Sequence, residues 1–262
     1  MFMILAVVVQ LAAADNPFAG TPQPDAARYQ ACLAQAAVNP VVARRAAEVW
    51  LDNEGGAPAK HCLGTALAGL GQMEEAAAWV EDAAHDVAAG KSAASLGALR
   101  TPELIAELKA QAADYWLGAR DYEIALARLE EAIALVSAAS EKMVDYLILY
   151  ARAAAGLQRY ALAVDSLTQL IDRHPDHAEA HVLRATASRH LGHYEEAEVD
   201  LTRALTLSPD DKDALLERGI VRRLGGDTQG AKADWQRIVT LYPESDAAAT
   251  AQRNLELLDG GN

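Results

Sequence analysis

Apolar residues recur three and four positions apart along most of this chain, as they do on one face of an α-helix. The segment 194–207 shows the pattern, with apolar side chains at Ala197, Leu201, Ala204 and Leu205. Alternating runs of β-branched residues, which indicate strands, do not occur after residue 15. The pattern therefore predicts an all-α chain.

The helical pattern repeats with a fixed period of 34 residues in the second half of the chain. Prolines stand at this interval at Pro175, Pro209 and Pro243. A period of this length is typical of stacked helical hairpins rather than of a globule built around one central active site. Three further sets of positions keep step with the prolines: Tyr160, Tyr194 and Thr228; Ala163, Ala197 and Ala231; Leu167, Leu201 and Trp235.

Residues 178–211 form the clearest repeat, with small residues at Ala185 and Ala197, a turn at Gly192 and a closing Pro209. This repeat resembles the tetratricopeptide repeat (TPR), in which small residues allow the two helices of a hairpin to approach closely and proline ends the second helix. The resemblance continues in register over residues 144–177 and 212–245, is looser over 57–90 and 106–139, and is weakest over about 25–56.

The resemblance implies a right-handed superhelical solenoid of about six TPR-like hairpins, each covering the apolar face of its neighbour. After Pro243, an amphipathic segment from Asp246 to Leu258 is predicted to form a C-terminal capping helix. Its Leu255 and Leu258 are expected to point towards the array. The fold class expected is therefore all-α.

The first fourteen residues, MFMILAVVVQLAAA, are apolar and end in three alanines. Such a run is too short to span a bilayer comfortably and suits a secretory signal peptide cut near Ala14. No Lys or Arg precedes it, since the first basic residue is Arg28. The alternative is therefore an uncleaved, short membrane-anchoring helix, which would be the chain's only membrane contact. Export predicts a periplasmic or other exported location.

The 34-residue period breaks once, around residues 91–101. Thr101, Pro102 and Glu103 have the composition of a helix start, with Thr101 as the N-cap. Residues 91–101 are accordingly predicted to be a loop, which is either a hinge or a plain insertion. The predicted organisation is a signal peptide over 1–14, degenerate TPR-like hairpins over 15–90, the loop over 91–101, a TPR array with its cap over 102–258 and a frayed tail over 259–262.

Cys32 and Cys62 are the only cysteines. Each falls in the first helix of a hairpin implied by the resemblance, at what we count as the same position. Equivalent positions of neighbouring hairpins face each other, so a disulfide between the two is expected after export. Without a C-x-x-C motif, redox catalysis is not expected.

Composition and charge narrow the functional classes. The net charge of −14 makes nucleic acid an improbable ligand, because an acidic surface repels phosphate. His174, His177 and His181 crowd one junction but lack an H-E-x-x-H arrangement, so no metal is predicted. Carboxylate pairs such as Glu195-Glu196 fall at helix starts, where they suit the helix dipole. No cofactor and no catalytic residues are predicted, and the protein is not expected to be an enzyme.

In TPR arrays the first helix of each hairpin lines a concave groove. The resemblance implies that this groove presents arginines beside apolar residues, which suits a peptide with apolar side chains and an acidic group. The alternative is that these arginines pair with carboxylates of the same chain. The residues carried over to the groove are Asp145, Ile148, Arg152, Val182, Thr186, Arg189, His190, Asp213, Leu216, Ile220 and Arg223.

The function expected is a non-catalytic scaffold in the bacterial cell envelope that binds a protein or peptide in this groove. The alternative is a structural spacer that self-associates, for example as a homodimer, through exposed apolar faces.

Overall fold

A computed structural model describes residues 25–91 and 101–259. The chain divides into two compact units: unit 1 ends at Leu149 and unit 2 begins at Tyr150. The predicted signal peptide over 1–14 and most of the predicted loop or hinge over 91–101 lie outside the described residues and stay predictions, as does the tail beyond residue 259.

Helices account for nearly all of the described chain. They follow one another as six consecutive pairs and one final helix, and we call the first helix of a pair A and the second B. Unit 1 contains α1 (Asp25–Val38), α2 (Pro40–Leu51), α3 (Gly56–Gly69), α4 (Met73–Ala89), α5 (Pro102–Gly118) and α6 (Tyr122–Leu135). Helix α7 (Lys142–Gly156) begins in unit 1 and ends in unit 2. Unit 2 continues with α8 (Tyr160–Arg173), α9 (Ala178–His190), α10 (Tyr194–Leu207), α11 (Lys212–Leu224), α12 (Thr228–Leu241) and α13 (Asp246–Asp259).

Side-chain caps fix where several helices begin. The Thr101 hydroxyl accepts a hydrogen bond from the Leu104 amide at 3.2 Å, which confirms the helix start predicted from the sequence. Asp211 caps α11 in the same way, accepting from the Ala214 amide at 2.8 Å. Each cap satisfies a backbone N–H that has no partner within its helix.

Turns between A and B helices in unit 2 contain one left-handed residue. Gly192 and Gly226 occupy this position with φ of +82° and +94°, a conformation that glycine adopts without strain. The equivalent residue of the α7–α8 turn is Gln158, with φ of +59°. The turn geometry is thus retained in a repeat that lacks the glycine signal.

The core of unit 2 is a continuous cluster at the repeat positions, including the fully buried Leu201, Trp235 and Ile238. In α13, Leu255 is 9% exposed and Leu258 packs against the same cluster, so the inward orientation predicted for these two leucines is confirmed. Helix α13 covers an apolar face that the last pair would otherwise leave open to water.

The hydrophobic clusters at the start of unit 1 are smaller. One contains Tyr29, Trp50 and Ala59, and another contains Ala36, Ala43 and Ala66. Alanine methyl groups bury little apolar area, so burial alone stabilises this end less than the leucine- and tryptophan-rich core stabilises unit 2.

The fold class is all-α, and no strand occurs between residues 25 and 91 or between 101 and 259. The predicted helical repeat architecture is confirmed. Within these ranges, no helix has the length and apolar character needed to cross a membrane.

Candidate functional site

A half-open cleft of approximately 260 Å³ lies on the A-helix side of unit 2. Three helices form it: the last two turns of α7, the first half of α8 and the second half of α9. Most of its wall is apolar and the side chains are small. The lining residues are Ala151, Arg152, Ala155, Tyr160, Ala163, Leu167, Leu183, Thr186, Ala187 and His190.

Small residues at repeat positions explain the open space. One period further along the chain, the positions of Ala155 and Ala187 are occupied by the larger Arg189 and Val221. Side chains as short as alanine cannot fill the volume that arginine or valine would occupy, so a gap remains between the helices. The cleft is therefore a consequence of the local sequence within a shared backbone pattern.

Two aromatic rings form one wall of the cleft. The rings of Tyr160 and His190 are stacked, with centroids 4.3 Å apart and planes inclined by 3°. Nη2 of the Arg189 guanidinium donates a hydrogen bond to His190 Nε2 over 3.1 Å. Nε2 is thus the acceptor nitrogen, and the proton of the neutral ring is on Nδ1. Desolvation and the positive charge of Arg189 lower the pKa of His190, whereas Glu217 acts in the opposite direction.

Two of the three arginines predicted for the groove are paired within the chain. Arg152 Nη2 donates to Glu179 Oε1 at 2.5 Å, and Arg189 forms an ion pair with Glu217. Arg223 is exposed and has no ion pair with any residue that the structure describes. Ion pairs within the chain therefore neutralise part of the positive charge of these arginines, but the arginines still lie at the surface.

The remaining predicted residues occupy different environments. Thr186 is half-buried, and its hydroxyl donates to the Val182 carbonyl at 2.9 Å. Val182, Leu216 and Ile220 pack against the core of unit 2. Asp213 is exposed in the first turn of α11.

Asp145 and Ile148 belong to unit 1, where Asp145 is exposed and Ile148 is buried. Of the eleven predicted residues, the cleft brings together Arg152, Thr186 and His190.

Most of the cleft wall was not assigned to the groove from the sequence. Tyr160, Ala163 and Leu167 lie on a B helix, at positions that the repeat pattern predicts to be packing positions. The sequence feature that indicates the cleft is Ala187, which is smaller than Val221, the residue one period later. A comparison of side-chain volume between repeats would have located the cleft.

Buried ion pairs between A and B helices were also missed. Asp200 is 5% exposed. Its Oδ2 accepts a hydrogen bond from Arg184 Nε and its Oδ1 accepts one from Arg184 Nη2, both at 2.7 Å. One period later, Arg218 binds Asp234 in the same bidentate way, at 2.9 and 2.6 Å. The signal in the sequence was an Arg and an Asp sixteen residues apart, repeated after 34 residues.

Two of the three crowded histidines, His177 and His181, have structural roles. His181 Nδ1 lies 2.8 Å from Asp200 Oδ1, and Nε2 lies 3.0 Å from the Pro175 carbonyl oxygen. His177 Nδ1 accepts from the Ala180 amide and caps α9. Within the described ranges, no group of three or more metal-ligating side chains is arranged to hold an ion.

Unit 1 contains a buried polar chain that joins three A helices. Tyr29 of α1 donates to His61 Nδ1 of α3. His61 Nε2 lies 2.6 Å from the Gln111 amide oxygen of α5, and the Gln111 amide nitrogen donates to the Tyr115 hydroxyl at 2.8 Å. Burial lowers the pKa of His61 to about 4 and raises that of Tyr115 to about 12.

Cys32 and Cys62 form a disulfide beside this polar chain, with Cα atoms 6.1 Å apart. Cys32 lies one helical turn after Tyr29 on α1, and Cys62 follows His61 on α3. A covalent link and a buried hydrogen bond thus connect the same two helices at neighbouring positions.

Comparison with known proteins agrees with this architecture. Two tetratricopeptide repeat models match the chain, at residues 148–210 and 213–245. No curated protein matches the sequence.

Several solved structures share the fold at low identity. MamA from Desulfovibrio magneticus RS-1, solved from residue 41 to the end, has a TM-score of 0.59 and 16% identity, and the match covers 72% of this chain and 97% of that one. YrrB, described as a TPR protein with an unusual peptide-binding site, has a TM-score of 0.55 and 16% identity, covering 79% of this chain and 96% of YrrB.

The APC/C heterotetramer Cut9–Hcn1 has a TM-score of 0.62 and 15% identity, and the match covers 97% of this chain but 46% of the other. Likenesses at this level of identity establish the fold alone. The chain is therefore an all-α helical repeat protein with tetratricopeptide repeats within residues 148–245.

Proposed function

We propose that this protein is a non-catalytic scaffold that binds a protein or peptide segment on the A-helix side of unit 2. The observation that carries the proposal is the cleft between α7, α8 and α9, which joins Arg152, Thr186 and His190 to an apolar wall. A concave, mostly apolar surface with a few polar groups is the usual character of a binding site. The ligand class is a segment with apolar side chains and an acidic group.

The structural neighbours support a binding role by analogy. YrrB is described as having a peptide-binding site, and Cut9 is described in a complex with Hcn1. A fold shared at 15–16% identity does not transfer a partner, so the chemistry of the partner must come from the cleft itself.

We place the scaffold in the bacterial cell envelope. The support is the apolar run of residues 1–14, which suits a signal peptide, together with the Cys32–Cys62 disulfide. Disulfides persist in oxidising compartments and are rare in the cytosol. Fractionation of cells that produce the full chain tests the location, and recovery of the protein in the cytosol would contradict it.

Photo-crosslinking tests the binding surface directly. A photoreactive phenylalanine analogue at Thr186, which lines the cleft, is expected to capture a partner in intact cells. The matched control is the same analogue at Thr202, which is exposed on the B helix α10. Equal capture of the same partner from both positions, or none from Thr186, would contradict the proposal.

Charge reversal supplies a second test that spares the fold. Arg223→Glu changes an exposed arginine without breaking an ion pair among the described residues, and it is expected to weaken capture of an acidic segment. Arg237→Glu is the control, since Arg237 lies on the B helix α12 and forms an exposed pair with Asp210. Unchanged capture by Arg223→Glu would exclude Arg223 from the binding surface.

Exposed apolar residues favour self-association as a second candidate function. Val38, Val41, Val42 and Val49 of the first helix pair are 85%, 63%, 49% and 52% exposed. A spacer that dimerises through this face would show a concentration-dependent mass in light scattering. A monomer mass at high concentration would reject this alternative.

A further inference from the structure

We infer that the cleft takes one aromatic side chain of the bound segment, and that an acidic residue follows this aromatic residue. The inference rests on the proposed function and specifies the ligand at the same site. Volume, wall chemistry and charge each contribute to it.

The volume suits a ring. An apolar cavity of about 150 Å³ is large enough to bind benzene in proteins. The cleft offers approximately 260 Å³ and is half-open, which leaves room for a phenylalanine or tyrosine ring and its methylene group.

The wall chemistry also favours an aromatic occupant. The parallel rings of Tyr160 and His190 stand beside the methyl groups of Ala155 and Ala187. Aromatic pairs gain free energy beyond the burial of their area when they stack with an offset or meet edge to face. An aliphatic side chain of similar size would gain the burial alone.

The charge at the rim selects the neighbour of the aromatic residue. Arg152 lines the cleft, and its side chain is 41% exposed. Its Nη2 donates to Glu179, whereas its Nε and Nη1 donate to no residue that the structure describes. A guanidinium with unused donors in a fixed position suits a carboxylate, which it binds through charge-assisted hydrogen bonds.

The repeat supplies a variant that fills the cleft without straining the fold. Ala187 and Val221 are equivalent positions, and Val221 is 1% exposed in the next repeat. Ala187→Val therefore introduces a residue that the same backbone already accommodates one period later. Ala161→Val is the matched control, because Ala161 is exposed on α8 and does not line the cleft.

The test is an NMR titration of the full chain, labelled at the alanine methyl groups, with the capped dipeptides acetyl-Phe-Asp-amide and acetyl-Leu-Asp-amide. We expect ring-current shifts at Ala155 and Ala187, and roughly three- to tenfold tighter binding of the phenylalanine peptide. Ala187→Val is expected to weaken that binding about tenfold or more, and Ala161→Val to leave it unchanged. Equal affinity for the two peptides, or no shifts at the cleft, would overturn the inference.

A second titration tests the acidic neighbour. The wild type is expected to prefer acetyl-Phe-Asp-amide over acetyl-Phe-Asn-amide by roughly two- to fivefold. Arg152→Gln is expected to remove this preference while the ring-current shifts remain. A preference that survives Arg152→Gln would contradict the role assigned to Arg152.

Different results would reject the scaffold function and the aromatic ligand of the cleft. Crosslinking from Thr186 without an aromatic preference would leave the scaffold function standing and reject the ligand class. Loss of crosslinking from Thr186 would reject the proposed function itself.

Discussion

Gly219 and Trp235 fit together so closely that a β-carbon on Gly219 would lie 2.2 Å from Nε1 of Trp235. The equivalent positions of the two preceding repeats hold a slightly larger residue on the A helix and a smaller one on the B helix. These pairs are Ala185 with Leu201, and Ala151 with Leu167. A small residue on the A helix and a bulky residue on the B helix therefore compensate each other in volume.

Gly219→Ala is expected to destabilise unit 2 by about 2 kcal/mol, because the added methyl group overlaps an indole ring that is fully buried. Urea unfolding measured by circular dichroism gives the change. Gly225→Ala is the control, since its nearest contact would be an ordinary 3.4 Å and its φ is negative.

The double variant Gly219→Ala with Trp235→Leu copies the pair found at Ala185 and Leu201. It is expected to be more stable than Gly219→Ala alone, because the smaller leucine makes room for the methyl group. Additive losses in the double variant would show that the two residues do not compensate each other.

Arg184→Met is expected to cost about 3 kcal/mol of unfolding free energy. The substitution leaves Asp200, which is 5% exposed, without its bidentate partner in a poorly solvated site. Arg203→Met is the control, and thermal unfolding of the two variants compares their losses of unfolding free energy. Arg203 pairs with Asp176 at the surface, where such a pair contributes about 0.5 kcal/mol. Equal losses in the two variants would mean that burial does not distinguish these ion pairs.

The stability of unit 1 is expected to decrease as the pH falls from about 6.5 to about 4. Burial lowers the pKa of His61 to about 4, whereas an unfolded histidine takes up its proton near 6.5. Between these values the unfolded state binds more protons, so acidification favours unfolding by up to about 3 kcal/mol. Urea unfolding at several pH values measures the slope.

His61→Gln removes this titration and is expected to flatten the slope, although it lowers stability at neutral pH by disturbing the bonds to Tyr29 and Gln111. His85→Gln is the control, because His85 is exposed on α4. A slope that persists in His61→Gln would assign the pH dependence to other groups.

The disulfide is expected to stabilise the packing of the first helix pair, α1 and α2, against α3. Its closed loop spans 30 residues, for which chain entropy predicts a stabilisation of roughly 3.5 kcal/mol. Cys32→Ser with Cys62→Ser should raise hydrogen exchange in α1 and α2, whose apolar clusters are small, and leave α10 to α12 unchanged. Uniform exchange changes over the whole chain would contradict a local effect.

Alkylation before and after reduction checks the bond itself. The non-reduced protein is expected to have no reactive thiol, since Cys32 and Cys62 are its only cysteines and are bonded to each other. Two reactive thiols without reduction would show that the bond does not form.

Several elements of the fold could be predicted from the sequence because they depend on short-range patterns. The helix that starts at Pro102 follows from Thr101 and Pro102, and the inward side of α13 follows from Leu255 and Leu258. The candidate site was predicted only in part. Of the residues predicted to line a groove, Arg152, Thr186 and His190 line the cleft, whereas Ile148 is buried.

The helices could be predicted from the amino-acid sequence because propensity, capping and apolar spacing act within one or two helical turns, and their 34-residue period could be predicted from the spacing of Pro175, Pro209 and Pro243. The paired arginines, the burial of Asp200 and the position of the cleft became known only from the three-dimensional packing of the helices. Those properties depend on side-chain volumes and charges that meet from different helices. The gap between Ala155 and Ala187 exists because neither residue is large enough to fill it.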